Sequence, residues 1–434
     1  MENNSSIKKS IFGSFPKNFW TVIVMEFFER GSYYGVMSVL SVYLVLSVNE
    51  GGLGFSKQSV GIIKSTITPL LYFLPILAGA IADRYGYRKT LMFAFVVMSL
   101  GYFLTSMATS YALVFASLIL MVLGAGSFKP IISGTIARST DKSNSTLAFG
   151  IYYWSINLGA FIFPLILIPW LKSISWSYIF IMAAIGTGWL LLLNIFVYKE
   201  PPTPENTKSI SRVLKDALFV LKDFRFVLMI VIYSGFWILY FQQFDTVLWY
   251  MKDYVDKTPV NNFVNSILGL FVSNPNWKFD VEHVTVINGG TIILLQLIVS
   301  NIVKNKKALP TMIFGILLGT LGVGILAISS HPFVFIAGMI VFSIGEMTAH
   351  PKFISYVGLI APEDKKALYL GYSFLYGVLG SGIGGILGAN LYVHFVDHLK
   401  NPALLWIIFS MIGVATIAGL LLFNKYLAPK NIDA

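Results

Sequence analysis

Long apolar stretches, separated by short polar connections, recur along the whole chain. They cover residues 18–46, 58–82, 89–107, 111–136, 147–169, 177–199, 226–252, 285–303, 308–329, 333–359, 367–396 and 402–427. A bilayer core about 30 Å thick needs roughly twenty apolar helical residues to cross it. The pattern therefore predicts an all-α integral membrane protein with about twelve transmembrane helices. Strands of a membrane barrel would be short and would alternate apolar with polar residues; these stretches do neither.

Two segments interrupt the repeat. Residues 200–225 follow Lys199, and Glu200-Pro201-Pro202 stops the sixth helix before a Ser/Thr/Pro/Glu stretch. Ile210, Val213, Leu214, Ala217, Leu218 and Leu221 then recur at helical spacing, with Lys215, Asp216 and Lys222 among or beside them. That predicts an amphipathic helix lying on the inner membrane surface. It divides the chain into a six-helix bundle over 1–199, a linker over 200–225 and a second six-helix bundle over 226–434. The other interruption, 253–284, has an apolar centre from Ile267 to Phe271 and is expected to hold a helix along the outer surface.

Composition narrows the function. Of 434 residues, 56% are hydrophobic and 12% charged, whereas a soluble domain is about 25% charged. That excludes an ordinary soluble enzyme and a disordered chain, and the absence of cysteine excludes disulfides and thiolate metal sites. The net charge of +11 raises the question of nucleic acid, and its distribution answers it. With both termini cytoplasmic, 21 of the 31 basic residues fall in the tails and even-to-odd connections, among them Lys8, Lys9, Arg84, Arg88, Lys89, Lys304, Lys306 and Lys307; six fall on the opposite side. Such a bias is a topology signal, so the expected partner is the lipid bilayer and no nucleic acid. No small-residue cleavage site follows the first apolar stretch, which Glu26, Glu29 and Arg30 interrupt. The first helix is expected to be retained in a multi-pass protein of the cell membrane.

An ionisable side chain at the bilayer centre costs about 2.5–3.5 kcal/mol. Glu26, Glu29, Arg30, Lys64, Lys129, Asp245 and Glu346 all fall inside spans, a set that demands a polar cavity. At about 100° per residue, Glu26, Arg30, Tyr33 and Met37 share one face of the first helix, with Glu29 about 60° aside. Arg30 is placed to neutralise Glu26 at i, i+4, which leaves the other carboxylate as a candidate proton carrier. A buried ion pair that only fixes packing is the plainer alternative; two acids against one base weigh toward titration. In the fourth helix Lys129 precedes Pro130, whose missing N–H kinks the helix. In the seventh, Gln242 and Asp245 argue for a wet face on an aromatic stripe that includes Trp237 and Tyr240. The tenth carries Glu346 near mid-span. Gly380, Gly384 and Gly388 let the eleventh helix pack closely on a neighbour. The five histidines show no ligand spacing, and no phosphate loop or nucleophile–base pair stands out, so no metal, cofactor or enzymatic role is expected.

These residues carry a resemblance. Glu26-x-x-Glu29-Arg30-x-x-Tyr33-Tyr34-Gly35 resembles the first-helix signature of the proton-dependent oligopeptide transporter (POT/PTR) family, a branch of the major facilitator superfamily. Phe149-Gly150-Ile151-Tyr152-Tyr153-Trp154-Ser155-Ile156-Asn157-Leu158-Gly159 is similar to its fifth-helix motif, and Phe236-Trp237-x-x-Tyr240-x-Gln242 to its seventh. Gly345-Glu346, Pro351 and Leu359-Ile360-Ala361-Pro362 resemble its tenth-helix block, Phe128-Lys129-Pro130 the fourth, and the turn around Asp83 the superfamily's loop motif. The resemblance implies the major facilitator fold and a proton-coupled symporter that imports di- or tripeptides, or a similar small zwitterion, by alternating access. By position, Glu26, Glu29, Arg30 and Lys129 would serve proton coupling. Lys129 would also hold a substrate carboxylate, and Glu346 would receive the amino group. Tyr33, Tyr34, Met37, Tyr153, Asn157, Trp237, Gln242, Asp245 and, more weakly, Asn288 would complete the pocket. A monomer is expected.

Three departures qualify the substrate. Met37 stands where peptide-transporting relatives place an arginine. Phe241 stands where they often have an acid, the nearest here being Asp245. The linker 200–225 has no room for the two extra helices of many bacterial members. The alternative is a divergent member carrying an anion, an amino-acid conjugate or a drug-like solute, with a non-transporting sensor further off.

Overall fold

The computed structural model describes residues 15–141, 144–202 and 210–428. Lys8, Lys9 and the stretch 203–209 lie outside them, as do the side chains of Ile210, Val213, Leu214 and Ala217. Among the described residues eleven helices are long and apolar enough to cross a membrane. They are Lys57–Tyr85, Tyr87–Met107, Tyr111–Arg138, Leu147–Ile174, Trp176–Phe196, Phe224–Asp253, His283–Val303, Ala308–Ile325, Pro332–Ile360, Leu368–His398 and Pro402–Tyr426. These are spans two to twelve of the expected set. The first span, Lys17–Met37, is as long but carries Glu26, Glu29 and Arg30 at its middle; it breaks at Ser38 and Val39 and resumes as Leu40–Val45. The seventh span also breaks, passing through a tight turn at Gln242–Phe244 and resuming at Thr246.

Local chemistry sets the ends. The hydroxyls of Ser56 and Ser110 accept from the backbone N–H of Ser59 and Leu113, capping spans two and four. Span two ends at Gly86, whose φ of +99° suits a residue without Cβ. The Glu200 carboxylate then accepts from the N–H groups of Tyr87 and Arg88, at 2.5 and 2.7 Å, closing the start of span three.

Spans one to six pack on one another, as do seven to twelve, and the two sets meet mainly where span two lies on eleven and five on eight. Small residues permit this. A Cβ on Gly61 would come within 2.7 Å of both Ala389 Cβ and the Gly385 carbonyl, and one on Gly380 within 2.6 Å of Trp237 Cβ. The glycine row of span eleven thus serves span seven, while Gly385 on its other side serves span two.

Twelve crossings put Lys17 and Tyr426 on one face, the terminal face. The opposite face is tied. Lys57 pairs with Asp397 at 2.7 Å, and Lys172 with Asp280 and Glu282 at 2.7 and 2.5 Å. The Trp249 indole donates to the Ser41 carbonyl at 3.0 Å. At the terminal end of spans five, ten and eleven, a Cβ on Gly150, Gly358 or Gly371 would meet nothing within 4 Å. The two sets therefore close on the tied face. The helix Ile210–Leu221 touches spans two, seven and eleven at that terminal face and leaves Leu218, Phe219 and Leu221 exposed. Thr258–Leu268 is the helix expected in the long connection, with Leu270 and Phe271 exposed just beyond it.

Candidate functional site

The breaks in spans one and seven bring their residues to one place between the two sets, with the Tyr34 and Phe244 rings 6.2 Å apart. A small cavity of about 30 Å³ lies there, lined by Arg30, Tyr33, Tyr34, Met37, Lys64, Tyr72, Lys129, Tyr240, Phe241 and Asp245 among others. The expected stripe of span one thus faces it through Arg30, Tyr33 and Met37.

Arg30 forks onto Glu29, its Nη2 donating to Oε1 at 2.6 Å and its Nε to the other oxygen. Its nearest approach to Glu26 is a longer 3.6 Å ion contact. The expected i, i+4 ion pair of Arg30 with Glu26 is thus present, but the closer, two-armed geometry of guanidinium on carboxylate goes to Glu29. Glu26 is fully buried and neither of its oxygens has a well-formed hydrogen bond; Lys129 and Tyr152 are its further polar neighbours. The Arg30 guanidinium lies 4.9 Å above the Tyr33 ring, and Lys129 Nζ lies 5.7 Å from that of Tyr72.

Glu346 forms the opposite pole. It lines a second cavity with Tyr153, Gln296, Met347, His350 and Pro351. The Asn288 amide donates to Glu346 at 2.8 Å and to Ser343 at 3.0 Å, which fixes the carboxylate in place. Tyr34, Tyr72 and Tyr240 all lie in the field of Glu346, and Tyr34 and Tyr72 also in that of Arg30. Phenols thus occupy the space between a cluster of three cations, Arg30, Lys64 and Lys129, and three acids, Glu26, Glu29 and Asp245, on spans one, two, four and seven, and the lone acid Glu346 on span ten.

Three expected pocket residues are placed differently. Gln242 donates to the carbonyls of Ile238 and Gly384, at 2.9 and 3.1 Å, and accepts from Thr246, so its amide is spent bridging the break and holding span eleven. Asn157 donates to the Tyr153 carbonyl of its own helix at 2.9 Å. Trp237 is buried, stacked on Tyr376 at 4.4 Å and 4.5 Å from Tyr240, and backs the wall. Several residues lining the first cavity were missed, Tyr72 and Lys64 among them. Lys64, 4% exposed, lies in the first cavity with Nζ 3.3 Å from Asp245 Oδ1 and 3.9 Å from the Met37 sulfur. Its charge inside a span was the available signal.

The chain matches the Major Facilitator Superfamily over residues 20–275. A di-/tripeptide transporter of Lactococcus lactis subsp. lactis (strain IL1403) is 30% identical over 296 residues, covering 63% of this chain and 54% of that protein. Dipeptide and tripeptide permease A of Escherichia coli (strain K12) is 31% identical over 176 residues, covering 39% of this chain and 34% of the permease. The chain spans about half the length, or less, of these curated relatives. A POT family transporter solved in complex with 5-aminolevulinic acid superposes with a TM-score of 0.79 at 21% identity, over 97% of this chain and 98% of its own, which shows a shared fold.

Proposed function

The chain belongs to the Major Facilitator Superfamily, and from that membership we propose that it is a transporter of the proton-dependent oligopeptide branch, importing a di- or tripeptide or a similar small zwitterion together with protons. Residues 1–199 and 226–434 would act as the two moving bundles of a monomer, joined by 200–225, with the terminal face cytoplasmic. The observation that carries this reading is the set of buried charges between the bundles, with Arg30, Lys64 and Lys129 beside the acids that partner them at one end and Glu346, held by Asn288, at the other. The similarity to di-/tripeptide transporters supports the substrate class. Glu26, buried beside Arg30 and Lys129 without a firm hydrogen bond, suits an acid that takes up and releases a proton. Tyr33, Tyr34, Tyr153 and Asp245 would contact or flank the solute.

A second reading, a divergent member carrying another small solute, is favoured by Met37 and Phe241 in the cavity wall. Uptake into proteoliposomes, screened over peptides and other small solutes with and without an imposed proton gradient, separates the two. Gradient-driven accumulation of dialanine or trialanine supports the first reading. Accumulation of other solutes alone sinks it in favour of the second.

A further inference from the structure

Lys64 and Asp245 come from opposite sides of the boundary between the two sets of spans, and both are buried. Their contact is an ion pair at 3.3 Å, and Asp245 Oδ1 forms no well-formed hydrogen bond. The next neighbours of the Lys64 ammonium are the Met37 thioether and, at 5.9 Å, the Phe244 ring. An ammonium offers three donors, and these neighbours accept weakly. Of the other cations of the cavity, Arg30 is forked onto Glu29, and Lys129, with no ion pair within 4 Å among the described residues, lies 5.7 Å from the Tyr72 ring and in the fields of Glu26 and Glu29.

We propose that Lys64 receives the anionic end of the solute, and that Asp245 is an internal carboxylate occupying Lys64 until the solute displaces it. This rests on the reading above that the chain carries small zwitterions, and it names the residue that makes a carboxylate a requirement. The cation absent at Met37 is supplied from span two, close enough for the two side chains to touch. The arrangement also links binding to movement. Lys64 belongs to the first six spans and Asp245 to the last six, so drawing the sets apart at this depth without a solute leaves two unpaired buried charges, a costly state. A solute carboxylate on Lys64 removes half of that penalty.

The test compares matched solutes on the full chain in lipid nanodiscs: dialanine against its C-terminal amide, and 4-aminobutyrate against 4-aminobutyramide. The parent is expected to prefer the acid by about tenfold to a hundredfold, the range of one charge-assisted contact. Lys64→Gln alone strands Asp245 and can unfold the protein, so the deciding variant is Lys64→Gln with Asp245→Asn, which removes both charges. It is expected to fold and to bind acid and amide nearly equally. Asp245→Asn alone is expected to raise affinity for the acid and leave that for the amide unchanged. A double variant that keeps the parent's preference overturns the inference, as does an Asp245→Asn protein with unchanged affinity for the acid. A parent that prefers 4-aminobutyrate to its amide but binds no dialanine overturns the peptide reading and leaves the role of Lys64 standing. A parent with no preference for either acid overturns the inference itself.

Discussion

Two carboxylates three residues apart on the first span have different neighbours. Glu29 holds both arms of Arg30, and Glu26 lies 3.6 Å from the nearest guanidinium nitrogen. Their variants should separate accordingly. Glu29→Gln breaks a buried pair, which costs about 3–5 kcal/mol, and should lower the thermal midpoint clearly. Glu26→Gln orphans no cation, so its midpoint should stay near the parent's. Its gradient-driven uptake into proteoliposomes should be lost while exchange without a gradient persists. If Glu26→Gln accumulates solute like the parent, the acid lies off the coupling path. At this scale the sequence exposes the gap at Met37 and the charges that need a cavity. It hides the role of Lys64, because helical periodicity relates a residue only to its own helix, and Asp245 arrives from another span.

The helical elements were legible as apolar runs of spanning length, while their interruptions were not. Gln242–Asp245 contains neither glycine nor proline, so nothing local marks the turn there. The resemblance puts Gln242 in the pocket, whereas the turn sends its amide to Gly384. Close approach between elements is testable with single methyl groups. Gly61→Ala places a Cβ within 2.7 Å of Ala389 and the Gly385 carbonyl, and overpacking of that kind costs about 1–3 kcal/mol. Gly358→Ala meets open space and should be neutral or stabilising by up to about 1 kcal/mol, since alanine is the better helix former. Thermal unfolding of both variants in one detergent checks the contrast; equal midpoints would mean that spans two and eleven do not touch at Gly61.

Across the whole molecule, the ties on one face set its response to acid. Burial pushes the Asp280 carboxyl up, but Lys172 and Lys257 outweigh it and hold it at about 2. A carboxylate with a depressed pKa keeps its tie above its ordinary range, about 4, and loses it only as pH falls through the depressed value. Glu282 moves the other way: burial raises it against the pull of Lys172, so proton uptake there favours the tied arrangement. These two carboxylates should therefore not loosen the tied face between about pH 8 and pH 5. The chain has no cysteine, so a single Ser41→Cys, buried beneath Trp249, reports this by its labelling rate with a maleimide. Labelling should be unchanged across that range, and faster when Asp280→Asn is added; acceleration by mild acid alone would show that another group holds the face shut. Spans two and eleven also touch about once per turn, Gly61 against Gly385, Ser65 against Ile386, Pro69 against Gly382 and Tyr72 against Gly377, before they diverge. If the bundles move as proposed, those steps would form a rail along which one could roll on the other like a rocker. Span two extends ~22 Å from Tyr72 to its start and ~20 Å to its end, at about 1.5 Å per residue. With arms so nearly equal, under the proposed alternating access each degree of roll that narrowed one mouth would widen the other by almost the same amount, and entrance and exit would share one size limit for the solute.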